Sequence, residues 1–597
     1  MLAEIVMTIS LLLRLLLDFF HSPPPLTLFV LLGPFVMPLI LAELLVASRR
    51  AILSNKRLQA DGRRSSCKAT SDPLLRCSAT ELSHRIRAGK TTSRQLTQAA
   101  IAQLQQVEQA GVCALNAERF EDALREADAA DAAVARGDVP TDWRGALWGV
   151  PIVVKECFEM PRMPYTAGIG SRRGRRGIAL NPALSRLHGQ PILATTNVSE
   201  ACMFHESANV VYGRTRNPQD LTRSPGGSSG GCAALVAACA APLAVTSDVG
   251  GSTRIPALYT GLFGHKPTGG TVPNTRTLPH VAPTSRVGRY CQLGPTARHA
   301  VDLHPLLAKL AGADGTDRMV RPEAKERLLA IDPLGVDVRG LRVLVLTEPF
   351  LPWFIRSGFH PDLRDAQARA AEALEALGCA VTRLDGAAMR AALPEVPHAF
   401  SIWAAMLGSA QPVPFRQLIS DGRAPGDELT VVGALREAVA CLLGGGASAR
   451  HTLPAIALAL IEDLESAFPT MRTAMLAKGE ALRARFDAML ADGRTVLLVP
   501  SLLTPAPRHH ENLLRFPDAA QTGLFNVMEL PATAVPICAP GGSARGHGHG
   551  RSRSRTDLPL GVQVVAGLGG DHLTLAVAIA LERAGVARAA KCAEMSW

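Results

Sequence analysis

Three short segments carry residue types that together can cleave a carbonyl compound: residues 149–155 (GVPIVVK), 224–231 (SPGGSSGG) and 248–256 (DVGGSTRIP). In the third, Ser252 follows two glycines. Adjacent glycines let successive backbone N–H groups converge on one cavity. The N–H groups of Val249, Gly250, Gly251 and Ser252 are therefore expected to hold a developing oxyanion while the Ser252 hydroxyl attacks. A serine hydroxyl is a poor nucleophile until a base removes its proton. Lys155 ends an apolar run, where exclusion of water favours the neutral amine that can act as that base, although an exposed strand end is the plainer reading of a lysine there. Ser228 precedes Ser252 by 24 residues, in a Gly/Ser cluster that runs directly into an Ala-rich helical stretch, 232–241. Backbone N–H groups at such a helix start favour negative charge or orient a hydroxyl. Residues 226–230 (GGSSG) formally fit the G-x-S-x-G elbow of histidine-dependent hydrolases, but 222–225 do not read as the strand that elbow requires. Asp248 and Arg254 flank the third segment with opposite charges and can pair to fix its shape.

Positioning these groups takes strands and helices in alternation. Apolar runs at 148–154, 341–346, 495–500 and 561–566 read as strands, whereas 79–135 and 362–377 carry apolar residues at helical spacing. The alternation implies an α/β fold, a mixed, largely parallel twisted sheet covered by helices on both faces. Residues 541–556 (GGSARGHGHGRSRSRT) are polar and low in complexity and read as a disordered insertion. His547 and His549 within it read as solvated rather than as metal ligands.

The chain has 597 residues, 47% of them apolar, enough for a large core without metals or disulfides. Its twelve cysteines form no CxxC pair, which argues against a zinc site and for mostly reduced thiols. The formal net charge of +11 lies largely in local clusters near 49–64, 172–176 and 545–555. No aromatic residues interleave with these clusters, so a base-stacking nucleic-acid module is excluded. Residues 5–20 and 26–42 are the most apolar stretches. The second is marginal alone for a bilayer crossing and long enough once 43–47 are added, while Pro34 and Pro38 also allow a hairpin insertion. Residues 1–60 are thus expected to be a membrane-anchoring helical segment with a basic juxtamembrane stretch, and its positive charge places the rest of the chain in the cytosol.

The segments 149–158 (GVPIVVKECF), 224–231 and 248–256 resemble, in order and approximate spacing, the amidase signature family. Matches at 194–200 (ATTNVSE), 261–273 (GLFGHKPTGGTVP), 294–298 (GPTAR), 525–531 (FNVMELP) and 558–566 (LPLGVQVVA) extend the resemblance over residues 72–588 as one amidase domain. The resemblance implies Ser252 as nucleophile, Ser228 as a bridging serine with a cis peptide, and Lys155 as the base that also returns a proton to the leaving amine. No metal or organic cofactor is implied. Residues 199–217 and 567–576, with the N-terminal anchor, place the likeness nearest to the fatty-acid amide hydrolases of the second type, and Met203 would then line the acyl side of the substrate pocket. Three departures from the family stand out: Thr253 in place of an aliphatic residue, the short and unusual segment 172–190, and the insertion at 541–556.

The expected activity is hydrolysis of carboxylic amides, with a lipid amide such as a primary fatty-acid amide or an N-acylethanolamine as substrate partner, on an endomembrane, with room for a homodimer. Apolar stretches 400–407 and 453–461 shape either an acyl channel or ordinary core helices. Alternatives are an amidase or esterase of other small substrates, an amidotransferase-like component, or a non-catalytic membrane scaffold.

Overall fold

The structure, a computed structural model, describes residues 72–351, 358–420, 450–538 and 557–590, together with Thr70, Gly433 and Glu437. The expected anchor at 1–60 and the insertion at 541–556 with its two histidines lie outside the described residues. Among the described residues no helix is long and apolar enough to cross a membrane.

The strands are β1 (Leu115–Glu118), β2 (Ile152–Lys155), β3 (Ile192–Thr196), β4 (Ala208–Asn209), β5 (Gly213–Arg214), β6 (Leu243–Asp248), β7 (Phe263–Lys266), β8 (Gln292–Ala297), β9 (Arg342–Leu346), β10 (Ala380–Leu384), β11 (Thr495–Val499), β12 (Ala532–Ile537) and β13 (Leu560–Ala566). Eleven of them form one sheet in the order β1-β3-β2-β6-β8-β7-β12-β13-β11-β9-β10, and β4 and β5 form a small hairpin. The strand runs expected from sequence are β2, β9, β11 and β13. The apolar run before Lys155 enters its strand only at Ile152, because Gly149 turns the chain with a positive φ of 76°. The region 79–135 holds the helices Ala79–Arg87, Ser93–Gln109 and Phe120–Arg136, with the short polar strand β1 between the last two.

The sheet is mixed, but parallel pairing is confined to its two wings, β3-β2-β6 and β11-β9-β10. The pairings from β6 through β8, β7, β12 and β13 to β11 are all antiparallel, as is β1 with β3. The parallel character expected from strand–helix alternation therefore holds at the flanks and not in the centre, where adjacent strands run in opposite directions. Every residue of β2, β3, β6, β7, β8, β11, β12 and β13 is buried, as a sheet covered on both faces requires.

Eight described cysteines are free thiols, in line with mostly reduced cysteines, and Cys239 is disulfide-bonded. The segments 400–407 and 453–461 fall in the helices Ala399–Ala410 and Leu453–Ala467.

What places the candidate chemistry is the parallel pair β2 and β6, with Ile152, Val153 and Val154 opposite Leu243, Ala244 and Val245. Lys155 is the last residue of β2 and Asp248 the last of β6, so both emerge at the carboxyl ends of neighbouring strands. Open α/β sheets bind their ligands at such strand ends.

Candidate active site

Lys155 is fully buried. Its Nζ donates to Ser228 Oγ at 2.7 Å, to Ser247 Oγ at 2.9 Å and to the Ser247 carbonyl at 3.3 Å. Three polar partners thus satisfy an Nζ that has no exposed surface. Ser228 follows a cis peptide bond from Gly227, and its carbonyl accepts from the Ser207 hydroxyl at 3.1 Å.

Ser207 Oγ also accepts from Gly230 N at 2.7 Å, and Gly231 N donates to the Asn197 carbonyl at 3.2 Å. The helix that begins here, Gly230–Ala237, therefore gives the N–H groups of its first two residues to the protein. Of the two roles expected for such N–H groups, favouring negative charge or orienting a hydroxyl, Gly230 N–H takes the second, on Ser207. Both contacts anchor the Ser228 segment.

Ser252 lies in the loop after β6 and is 7% exposed. Its hydroxyl makes no hydrogen bond among the described residues, so of the contacts the expected relay needs, Lys155–Ser228 is present and Ser228–Ser252 is not. Catalytic hydrogen bonds often tighten only when substrate is present.

Three carbonyls of this loop are held by side chains from elsewhere in the chain. Asn526 Nδ2 donates to the Asp248 carbonyl at 2.8 Å, Trp403 Nε1 to that of Val249 at 3.2 Å and Thr522 Oγ1 to that of Gly250 at 2.7 Å. In a trans peptide the N–H points opposite the C=O. Capping the first two carbonyls thus turns the N–H groups of Val249 and Gly250 away from the three capping side chains, and neither has a partner among the described residues. Gly251 differs. Its N–H donates to Asp248 Oδ1 at 2.7 Å, and its φ is positive at 119°. Of the four donors expected for an oxyanion, Val249, Gly250 and Ser252 remain open and Gly251 is committed. A β-carbon at Gly251 would lie 2.2 Å from Thr522 Oγ1, so both its conformation and its surroundings require glycine.

Asp248 and Arg254 form a fully buried pair rather than a solvated one. Arg254 Nε meets Asp248 Oδ2 and its Nη2 meets Oδ1, both at 3.0 Å. Burial works to raise the Asp248 carboxyl, and the Arg254 guanidinium more than offsets this and holds it well below the usual carboxylate range. Thr253, the departure beside Ser252, shares a 2.8 Å hydrogen bond with Thr246 Oγ1, which also donates to the Gly294 carbonyl at 2.9 Å. Its hydroxyl is thereby satisfied in a buried site.

Met203 is half-buried at the end of a tight turn, Glu200–Cys202, in which Ala201 and Cys202 have positive φ. The next residue, Phe204, stacks on Phe516 with centroids 6.2 Å apart. Phe516 meets Phe400 edge-on at 5.4 Å, and Phe400 meets Trp403 at 5.8 Å. This aromatic wall ends at the Val249 carbonyl. Phe516 and Thr522 carry no local signal of such roles, whereas Asn526 and Ser207 stand inside segments recognisable in the sequence and Trp403 lies in the apolar stretch 400–407.

If Trp403 holds the Val249 peptide, Trp403→Phe keeps the ring and loses the donor. We expect kcat for an amide to fall roughly tenfold, short of the hundredfold or more that follows loss of an oxyanion donor itself. KM should change little. A raised KM at unchanged kcat would show that Trp403 only shapes the binding wall.

Comparison with known proteins gives a consistent picture. Residues 95–575 match the Amidase family. The chain is 35% identical over 525 residues to fatty-acid amide hydrolase 2-A of Danio rerio, covering 86% of this chain and 89% of that protein. It is 34% identical over 522 residues to fatty-acid amide hydrolase 2 of Homo sapiens, covering 86% of this chain and 90% of that protein. A shorter match, 35% identical over 341 residues, is to a glutamyl-tRNA(Gln) amidotransferase component of Mycobacterium ulcerans, covering 56% of this chain and 64% of that protein. Among solved structures, 6-aminohexanoate cyclic dimer hydrolase complexed with its substrate superposes with a TM-score of 0.61 at 26% identity, covering 86% of this chain and 98% of that one.

Proposed function

The chain belongs to the amidase signature family and is an amide hydrolase related to fatty-acid amide hydrolase 2; from that premise we propose that it cleaves fatty-acid amides through an acyl-enzyme on Ser252. Lys155, through Ser228, takes the Ser252 proton as the hydroxyl oxygen bonds to the amide carbon. The N–H groups of Val249, Gly250 and Ser252 receive the oxyanion. On collapse the C–N bond breaks and the proton passes back from Lys155 to the amine, which leaves badly unless protonated. Water then takes the place of the amine and releases the fatty acid.

For the chemistry, the observation that carries the proposal is the buried 2.7 Å contact between Lys155 and Ser228. The acyl preference is supported by the wall of Phe204, Phe516, Phe400 and Trp403 leading to the oxyanion loop. Aromatic side chains supply large apolar contact area for an alkyl chain. Met203, beside Phe204, belongs to the same side of the pocket in this reading.

The test uses the purified full chain and Ser252→Ala. Wild type should react with a fluorophosphonate probe and hydrolyse oleamide and N-oleoylethanolamine in preference to acetamide, and Ser252→Ala should do neither. Labelling without lipid-amide turnover would reject the substrate and keep the nucleophile. An unlabelled wild type would reject the mechanism.

A further inference from the structure

The basic cluster 172–176 is not used by this chemistry, yet the structure gives it a definite form. We infer that residues 160–180 form a docking surface for anionic lipid headgroups, built from Arg162, Arg173, Arg175 and Arg176 around the apolar side chains of Ile178 and Leu180. This rests on the surface alone and not on the chemistry of Ser252.

Ile178 is 89% exposed, the most exposed large apolar residue among those described, and Leu180 is 38% exposed. The Arg162 side chain is 83% exposed, and Arg173, Arg175 and Arg176 are exposed as well. From Met160 to Ser199 the chain has no carboxylate. Glu159, at its edge, is buried and paired with Arg276 at 3.0 Å, and Asp122 reaches Arg162 only at 3.7 Å. The positive charge of the segment is therefore largely uncompensated.

The segment is held rigidly. Arg162 N donates to the Gly177 carbonyl, Gly177 N to that of Met163 and Tyr165 N to that of Arg175, at 2.9 to 3.0 Å. Glu159 Oε1 accepts from Ile178 N at 2.9 Å and Ala179 N at 3.2 Å. At its base, Glu156, the residue after Lys155, accepts from Thr166 N at 2.7 Å. Such fixing holds Ile178 out in solvent, its apolar side chain without cover. An isoleucine presented among arginines fits a surface that offers both hydrocarbon and negative charge. A nucleic-acid surface has no use for the aliphatic tip.

Two measurements on the full chain test this. Ile178→Trp should be quenched by brominated phospholipid, beyond the wild-type tryptophan background, in phosphatidylcholine vesicles containing phosphatidylserine, and the excess should vanish in pure phosphatidylcholine or 1 M salt. The combined Arg173→Glu, Arg175→Glu and Arg176→Glu variant should lose about a hundredfold of the anionic-over-zwitterionic partition ratio. Its thermal unfolding should fall only slightly, since Arg173 Nη2 and Arg176 Nη1 give up hydrogen bonds of 2.6 Å to the Val210 and Arg162 carbonyls at the exposed surface. Absence of excess quenching at position 178, an unchanged partition ratio, or loss of binding to single-stranded RNA in the triple variant without any quenching at 178 would each overturn the inference. Absence of probe labelling at Ser252 would reject the catalytic reading and leave this one standing.

Discussion

Lys155→Met is expected to lower kcat/KM for an amide by roughly a thousandfold, within the range that positioned acid–base groups contribute. Methionine fills the space of the lysine stem without a titratable group, so the loss reports proton transfer rather than a cavity. The same variant should lose less on a matched ester, by about a factor of ten, because an alkoxide or phenoxide leaves without the full protonation an amine needs. Measuring a paired amide and ester of one acyl chain separates the two tasks assigned to Lys155. Equal losses on both would show that the lysine activates the nucleophile and takes no part in expelling the amine. Thermal unfolding of the variant guards against misreading a folding defect, since Ser228 Oγ and Ser247 Oγ would each lose a buried partner.

The residues that act in sequence-local groups were the legible part of the site. Lys155, Ser228, Ser252 and the Asp248–Arg254 pair each stand in a segment whose composition is hard to explain otherwise, and the fold brings Lys155 to Ser228 directly. The roles of their supports were not legible, although Asn526 stands in a recognisable motif and Trp403 in the apolar stretch 400–407. Trp403, Thr522 and Asn526 reach the oxyanion loop from 154, 272 and 278 residues away, and nothing in spacing encodes a carbonyl cap over such distances. The commitment of Gly251 N–H to Asp248 depends on a loop conformation that two adjacent glycines leave open. A similar limit applies to the sheet. Alternating strands and helices suggest parallel pairing, but β7 and β8 pair antiparallel across the connection between them. Strand β1 (LNAE) and strand β7 (FGHK) also lack the apolar pattern on which strand assignment rests.

Arg254→Met should destabilise the protein by about 3–5 kcal/mol at neutral pH, because it strands a buried carboxylate. The guanidinium holds more than Asp248. Its Nη1 reaches Gln563 Oε1 at 2.8 Å, and its Nη2 reaches Asn526 Oδ1 at 2.6 Å and the Thr522 carbonyl at 3.1 Å. Three helices or strands that frame the oxyanion loop therefore meet at one side chain: β6 through Asp248, β13 through Gln563, and the helix Ala520–Val527. The pH dependence follows from linkage. In wild type the Asp248 carboxyl sits below its unfolded value, so its contribution is present above about pH 4 and is lost as pH falls toward the folded value. Without Arg254 burial dominates and lifts the folded value above the unfolded one, so the deficit is largest near pH 7 and shrinks as pH falls from the raised folded value toward about pH 4, and further below that as wild type loses its own contribution. Nearby Lys266 also lowers the Asp248 carboxyl and would soften the reversal without removing it. Adding Asp248→Asn to Arg254→Met removes the stranded charge and should recover part of the stability at pH 7. Denaturant unfolding of the single and double variants at pH 7 and pH 4 reads all of this, and a single-variant deficit that is the same at both pH values would show that lost packing, not the stranded charge, sets the cost.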